Sequence, residues 1–210
     1  PKSALQCGAD ACAQSTHKIV GAMTQCSMLH VQSQRLDVTR AADVMSVLTT
    51  TSPNYLLMAS LDAARAQLQV RGKEMAEDAV MAANKLRAVC SKYAGLKLLT
   101  EADCGGLKLD TTKVTVNFAE WGYTGIEAGD LFRKAGIAVE LVDAQNVLFL
   151  VTYADVTSDY EAALAKIDTV LKNMEANKRD RALAPEAQDV PATTMAMPLR
   201  EVFYGEKEAL

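Results

Sequence analysis

Short stretches of small and apolar residues near the start of the chain predict β-strands. One covers residues 9–15 and the other residues 27–31, and each has the length and composition of a buried strand. Asp37 then supplies an N-cap side chain for a helix that we expect to end near Leu48. The first part of the chain is therefore predicted as two strands followed by a helix.

A long amphipathic helix is predicted after the polar stretch that ends in Ser52 and Pro53. Ser52 is expected to cap this helix and Pro53 to occupy its first position, where an N–H group has no helical partner to lose. Its apolar residues recur every three or four positions, which is the period of one helical face: Leu57, Leu61, Ala64, Leu68, Met75, Ala79, Ala82, Leu86 and Val89. We expect any bend of this helix at Gly72.

The pattern changes near Gly95 to short strands separated by helices. Strands are predicted at residues 96–99, 113–118, 138–142 and 147–153. A capping box at Thr124 opens one helix, which stops at Gly136, and a second box at Ser158 opens another. The second helix has an apolar face: Tyr160, Leu164, Ile167, Leu171 and Met174. The order β-β-α-β-β-α predicts a small α+β layer with helices on one side of its sheet.

The last part of the chain, from Arg179 onward, has the polar, proline-containing composition of a linker. Its prolines are Pro185, Pro191 and Pro198. The chain also opens without Met, in what is predicted as a loop leading into a strand. We therefore expect these 210 residues to be a fragment of a longer protein.

Composition and charge exclude several classes of partner. The 22 Lys and Arg against 26 Asp and Glu give a net charge of −4, which does not favour nucleic acid or an anionic membrane. No apolar run approaches the roughly 18 residues of a membrane helix, and no signal peptide is indicated. Five scattered cysteines argue against a disulfide framework or a zinc site and for a reducing cytoplasm. We interpret each as a small buried apolar residue: Cys7, Cys12, Cys26, Cys90 and Cys104.

The segment Ser15-Thr16-His17-Lys18, at the end of the first predicted strand, is a candidate for imine chemistry. A lysine there leaves the sheet at its carboxyl edge, where α/β proteins bind ligands. The lysine amine condenses with an aldehyde, the imidazole moves protons and a hydroxyl holds a phosphate. A His-Lys pair is more often a solvated turn, and the tetrapeptide by itself does not decide between the two.

Three longer segments carry a resemblance to a known family. ACAQSTHKIVGAMTQCSMLHV, at residues 11–31, resembles the cofactor-lysine region of the ornithine/lysine/arginine decarboxylases, which are bacterial pyridoxal-phosphate enzymes. TTTSPNYLLMASLDAARAQL, at 49–68, resembles that family's Ser-Thr-Ser-Pro-Ser-Tyr segment and the helix after it. GIAVELVDAQNVLFLVT, at 136–152, is similar to a strand pair of the family's small domain. The three matches are collinear over about residues 1–175.

The resemblance implies an α/β fold in three parts. Residues 1–93 would be part of an aspartate-aminotransferase-like (fold type I) large domain with its long connecting helix. Residues 94–178 would be the small α+β (ββαββα) domain, and residues 179–210 a linker. It also implies pyridoxal 5'-phosphate as cofactor, a basic amino acid as substrate, and diamine or agmatine and CO2 as products. The active sites would be shared within a homodimer or a higher homo-oligomer.

Roles follow from the family's motifs residue by residue. Lys18 is expected to hold the cofactor as an imine. Ser15 and His17 are expected to contact its phosphate, with His17 also a candidate proton donor. Thr51 and Ser52 are candidate phosphate donors to the cofactor of a partner subunit, helped by the positive end of the helix that starts there.

Four further residues are interpreted individually, one as a candidate for substrate binding and three as structural residues. Glu140 matches a family carboxylate linked to the distal amine of the substrate, and a carboxylate suits a cationic substrate; a surface charge at a strand edge explains it equally well. His30 is interpreted as a structural histidine satisfied by a neighbour. Trp121 and Tyr123 are interpreted as packing anchors.

The resemblance also places an aspartate that pairs with the ring nitrogen, and a histidine that stacks on the ring, upstream of Lys18. We therefore expect the 210 residues alone to bind the cofactor poorly and not to turn over. Two alternatives stay open. One is another fold-type-I enzyme, either an aminotransferase or a lyase, and the other is a non-catalytic truncated relative that acts as an interaction module.

Overall fold

The computed structural model describes residues 3–157, 159–181, 183 and 192–206. These residues form a mixed α/β structure with two small antiparallel sheets. The helices and strands are β1 (Ala11–Ser15), β2 (Ser27–Val31), α1 (Val38–Leu48), α2 (Tyr55–Cys90), β3 (Lys97–Leu98), β4 (Lys113–Asn117), α3 (Gly125–Lys134), β5 (Leu141–Val142), β6 (Asn146–Leu150), α4 (Tyr160–Ala176) and α5 (Leu199–Tyr204).

Strands β1 and β2 form an antiparallel hairpin in which Ser15 pairs with Ser27 and Cys12 with His30. Both strands were predicted, but the prediction that they are buried is wrong, because no residue of either strand belongs to the described core. The physical reason is that β1 carries only small or polar side chains, which bury little apolar surface against a neighbour.

Helix α2 runs for 36 residues from Tyr55 to Cys90 and continues as one helix through Gly72. Its N-cap is Asn54, whose side chain accepts hydrogen bonds from the backbone N–H groups of Leu56 and Leu57. The prediction that Ser52 caps the helix is therefore wrong, and Pro53 lies before the helix. Asparagine caps a helix as well as serine does, and Asn54, two residues after Ser52, is the residue that caps α2.

The second sheet has the strand order β3-β4-β6-β5, with every pair antiparallel. Val114, Val116, Val147 and Phe149 alternate along its two central strands and are buried. Helices α2, α3 and α4 pack with these strands in one apolar core. The order of the elements from β3 to α4 is the predicted one, but β5 covers only Leu141–Val142 of the predicted 138–142.

Helix ends in this part of the chain follow the sequence signals where the structure describes them. Thr124 and Glu127 form the predicted capping box of α3. Ser158, predicted to cap α4, lies outside the described residues, and that helix begins at Tyr160. Its predicted apolar face is confirmed, with Leu164, Ile167, Leu171 and Met174 among the buried residues.

The segment after α4 is fixed to α3 rather than free over its first residues. Arg179 and Arg181 both form ion pairs with Glu127, and the Arg179 guanidinium lies 4.3 Å from the centre of the Tyr123 ring. Trp121 and Tyr123 are buried, as expected of packing anchors. Residues 182, 184–191 and 207–210 of the predicted linker lie outside the described residues, while Leu199–Tyr204 forms the short helix α5.

The five cysteines are free thiols that differ in burial. Cys26 and Cys90 are buried, and burial raises the pKa of the Cys90 thiol to about 12. Cys7 is exposed, while Cys12 and Cys104 are half-buried. The interpretation of all five as buried apolar residues is therefore wrong for these three. None of the helices within the described ranges is long and apolar enough to span a membrane.

Candidate functional site

The lysine loop, which we define as residues 16–26, joins β1 to β2 and carries His17 and Lys18. A turn opens it, in which the backbone N–H of Lys18 donates to the carbonyl of Ser15 at 3.3 Å. The Lys18 side chain is exposed, and its amine makes no hydrogen bond or ion pair with any described residue. Thr16, two residues before Lys18, is the one polar residue among the described residues that is buried.

The lysine loop is anchored on the first turns of α2. The backbone N–H of Met23 donates to Ser60 Oγ at 2.7 Å, and the Cys26 thiol donates to the carbonyl of Leu57 at 3.3 Å. Ala22, Cys26 and Ala64 form a small buried cluster beneath the loop. The position of Lys18 is therefore set by helix α2 as well as by the hairpin.

His17 is half-buried, and its Nδ1 atom lies 2.7 Å from the backbone carbonyl oxygen of Cys26. That contact crosses the lysine loop from one end to the other and closes it. Ser15, His17 and Lys18 thus lie together at the end of β1, as the sequence predicted. The Ser15 side chain is exposed and available to a ligand.

The segment with Thr51 and Ser52 is exposed and lies between α1 and α2. The Ser52 backbone N–H donates to Thr50 Oγ1 at 3.1 Å. Within the described part of the chain, the hydroxyls of Thr51 and Ser52 have no hydrogen-bond partner, and none links them to the lysine loop. That Thr51 and Ser52 donate hydrogen bonds to the cofactor phosphate of a partner subunit stays a prediction.

Glu140 is exposed directly before the edge strand β5. Its backbone N–H donates to the carbonyl of Leu148 at 2.9 Å. Its carboxylate makes no hydrogen bond or ion pair with the residues that the structure describes, so neither of its two interpretations is favoured.

Three residues that support the lysine loop had no sequence signal as functional residues. Cys26 contributes a backbone carbonyl, which sequence patterns do not reveal. Gln25 has φ +85°, in the left-handed region that non-glycine residues rarely adopt. Tyr153, in the turn after β6, lies close to Gly21: a Cβ on Gly21 would lie 2.9 Å from the phenol oxygen.

The expectation that a neighbour satisfies the His30 imidazole is wrong for its Nε2 atom. Its Nε2 atom is buried and has no hydrogen-bond partner among the described residues. In the hairpin His30 is directly opposite Cys12. The Cys12 thiol instead donates to the carbonyl of Ala13, at 3.8 Å, and so does not form a hydrogen bond with the His30 imidazole.

Known proteins resemble this chain in sequence and in structure. The family profile described as "Orn/Lys/Arg decarboxylase, major domain" matches residues 2–113. An arginine decarboxylase of Bacillus anthracis is 34% identical, in an alignment that covers all of this chain and 43% of that protein. The chain thus spans less than half the length of this curated relative.

Solved structures show the same fold. The constitutive lysine decarboxylase of Escherichia coli superposes with a TM-score of 0.57 at 21% identity, over 78% of this chain and 28% of that chain. A NifS-like protein from Rickettsia africae superposes with a TM-score of 0.59 at 13% identity, over 82% of this chain and 50% of that chain. Because the family profile covers more than half of the chain and includes the whole lysine loop, the chain belongs to the ornithine/lysine/arginine decarboxylase family.

Proposed function

We propose that Lys18 is the cofactor-binding lysine of a pyridoxal-phosphate-dependent decarboxylase of fold type I that acts on lysine, ornithine or arginine. The observation that carries this proposal is the exposed side-chain amine of Lys18, which is unpaired within the described ranges. Its amine is exposed and has no partner among the described residues, on a loop that the hairpin and α2 hold in place. An unpaired amine at a fixed position is what covalent attachment of an aldehyde requires.

The residues around Lys18 fit the cofactor's other groups. The Ser15 hydroxyl can donate to a phosphate, and the His17 imidazole, two residues along the chain, can bind the phosphate or move a proton. When bound, pyridoxal phosphate supplies the electron sink that accepts the electron pair left by departing CO2. The carboxylate of Glu140 would bind the distal ammonium or guanidinium of the substrate through a charge-assisted hydrogen bond.

Labelling of Lys18 tests the proposal directly. The complete gene product is incubated with pyridoxal phosphate, reduced with borohydride, digested and analysed by mass spectrometry. We expect the label on the peptide that contains Lys18, no label in a Lys18→Ala variant, and unchanged labelling in Lys73→Ala, which alters an exposed lysine on α2. An unmodified Lys18 together with full activity would overturn the proposal.

The 210 residues by themselves provide a stricter case. The aspartate that the resemblance pairs with the ring nitrogen of the cofactor is not among the residues assigned to the site. The assigned residues therefore offer the cofactor only the Lys18 amine and the phosphate contacts of Ser15 and His17. We expect weak labelling of Lys18 and no turnover in this chain alone. Stoichiometric labelling would show that these contacts suffice.

A second candidate is another enzyme of the same fold, because the superposition on the NifS-like protein is as good as that on the lysine decarboxylase. Both candidates use Lys18, but the products differ. Lysine, ornithine and arginine are supplied in turn, and CO2 with diamine or agmatine is measured against keto acid and other cleavage products. Decarboxylation of a basic amino acid favours the first candidate.

We further infer a cytoplasmic homodimer or higher homo-oligomer in which Thr51 and Ser52 serve the neighbouring subunit's cofactor. Apolar side chains exposed on α1 and at the start of α2 support an interface there: Val38, Val47, Leu48, Tyr55 and Leu56. Mixed oligomers of Lys18→Ala and Ser52→Ala subunits test it. If the site is shared, one of the two sites in each mixed dimer is intact, and because about half of the dimers in a random equal mixture are mixed, about a quarter of the activity returns. No recovery in verified mixed dimers would contradict the shared site.

A further inference from the structure

We infer that the backbone carbonyl of Cys26, directed by the left-handed backbone of Gln25, fixes the neutral His17 ring with its proton on Nδ1 and its acceptor lone pair on Nε2. Gln25 and Cys26 are then positioning residues for His17. The catalytic meaning of this arrangement rests on the proposed function, whereas the tautomer itself does not.

The hydrogen bond between His17 and Cys26 has only one possible direction. The distance of 2.7 Å between Nδ1 and the carbonyl oxygen is that of a hydrogen bond. A carbonyl oxygen can only accept, so Nδ1 must donate. A neutral imidazole carries one N–H, and the other nitrogen, Nε2, is therefore left as an acceptor.

Hydrogen bonds from the backbone and from the thiol of Cys26 restrain this residue, so its carbonyl is a fixed acceptor. Its backbone N–H donates to the carbonyl of Met23 at 3.1 Å, and its thiol donates to the carbonyl of Leu57 on α2 at 3.3 Å. Its side chain is buried, and the next residue, Ser27, is the first of β2. The Cys26 carbonyl oxygen therefore stays in place beside His17 Nδ1, and this position disfavours the Nε2–H tautomer.

Gln25 sets the direction in which the chain enters Cys26. Its φ of +85° makes it the only non-glycine residue with a positive φ in the described part of the chain. Such a conformation is unfavourable and persists only where surrounding contacts impose it. Here the anchored Met23 and Cys26 lie on either side of it.

The fixed tautomer restricts what His17 can do. With Nδ1–H committed to Cys26, neutral His17 can take a proton at Nε2 but cannot donate one there. It becomes a donor toward a phosphate or a substrate atom only after it has taken up a proton. This deepens the proposed function: His17 acts as a proton acceptor and carrier, and not as a permanent phosphate donor.

Nuclear magnetic resonance can read the tautomer without the cofactor. The full 210-residue chain is labelled with ring-¹⁵N histidine. Long-range ¹H–¹⁵N correlations are recorded at a pH high enough for both imidazole rings to be neutral. The chain has two histidines, so a His30→Asn variant assigns the signals. We expect His17 as the Nδ1–H form, whereas a free imidazole in water prefers Nε2–H. A predominantly Nε2–H His17 would overturn the inference.

Two substitutions at Gln25 test its positioning role. Gln25→Gly tolerates a positive φ, so the Nδ1–H form should persist. Gln25→Val strongly disfavours that backbone, because a β-branched residue is strained there, and we expect a shift of His17 toward the Nε2–H form with unchanged signals from the β3-β4-β6-β5 sheet. If Gln25→Val does not fold, Gln25→Ala gives the same comparison in a milder form. Retention of the Nδ1–H form in every folded variant would remove Gln25 from the inference.

The failures of this inference and of the proposed function are distinguishable. If Lys18 is not labelled but His17 remains in the Nδ1–H form, the proposed function fails and the tautomer stands. If the complete gene product is labelled and turns over while His17 is Nε2–H, the inference fails and the proposed function stands.

Discussion

The phenol oxygen of Tyr153 lies so close to Gly21 that a Cβ on Gly21 would be 2.9 Å from it. Gly21 belongs to the lysine loop, three residues after Lys18, and Tyr153 belongs to the turn that follows β6. The loop is thus bounded by α2 on one side and by the turn after the four-stranded sheet on another. A change in the turn that contains Tyr153 is expected to alter the position of Lys18, because Tyr153 contacts the lysine loop at Gly21.

Gly21→Ala should therefore destabilise the lysine loop. The new methyl group has to displace the Tyr153 phenol oxygen or the exposed loop itself, and we expect a loss of no more than about 1 kcal/mol in the free energy of unfolding, with faster hydrogen exchange in residues 16–26. In the double variant with Tyr153→Phe the clashing oxygen is gone, so most of the loss should be recovered. Equal losses in the single and double variants would mean that the contact with Tyr153 is not the cause.

Gly72→Ala should have the opposite sign. Gly72 lies inside the continuous helix α2, and a Cβ there would meet Leu68 at 3.6 Å, an ordinary van der Waals distance. Alanine in a helix interior is favoured over glycine by about 0.5–1 kcal/mol. Chemical denaturation of the two chains measures this gain, and a loss of stability would indicate a bend at Gly72 that the helix needs.

Arg87, on α2, fastens that helix to the edge of the four-stranded sheet. Its guanidinium donates to the carbonyls of Leu99, Thr111 and Lys113, at 3.1, 3.3 and 2.9 Å. Arg87→Met leaves these carbonyls without their donors, and we expect a loss of about 3 kcal/mol in the free energy of unfolding.

Arg65→Met is the matched control for Arg87→Met. Arg65 also lies on α2, but its ion pair with Asp62 is exposed, and such pairs contribute less than about 1 kcal/mol. Similar losses for the two variants would show that the three carbonyls are satisfied by water once Arg87 is gone.

The sequence predicted the elements better than their surroundings. The period of α2, the capping box of Thr124 and the apolar face of α4 depend on residues close together in the chain, so they could be read directly. The N-cap of α2 could not, because Ser52 and Asn54 are both good caps and only the path of the chain before the helix decides between them.

Much the same holds for the candidate site. The motif at Ser15, His17 and Lys18 was visible as side chains in a row. The contact between His17 and Cys26 was not, because it uses a backbone carbonyl, and every residue has one. The burial of β1 was predicted wrongly because its small or polar side chains offer little apolar surface to any neighbouring element, and burial also depends on which element covers the strand.

Glu127 links the start of α3 to the segment after α4, and it should make stability depend on pH. The Thr124 backbone N–H, together with Arg181, Arg179 and the Thr124 hydroxyl, lowers the pKa of the Glu127 carboxyl from 4.5 to about 2. A carboxyl whose pKa is lowered by folding stabilises the protein above its unfolded pKa and loses that contribution as the pH falls through its folded pKa.

Glu127→Gln keeps an acceptor for Thr124 but not the charge that pairs with the two arginines. The difference in unfolding free energy from the parent chain should be about 1 kcal/mol above pH 5, since the pairs are partly exposed. It should shrink as the pH falls from 4.5 toward 2. Glu161→Gln, which removes an exposed ion pair with Lys85, should give a much smaller difference at every pH. A Glu127→Gln difference that stays constant from pH 5 to pH 2 would rule out the ionised carboxylate as its source.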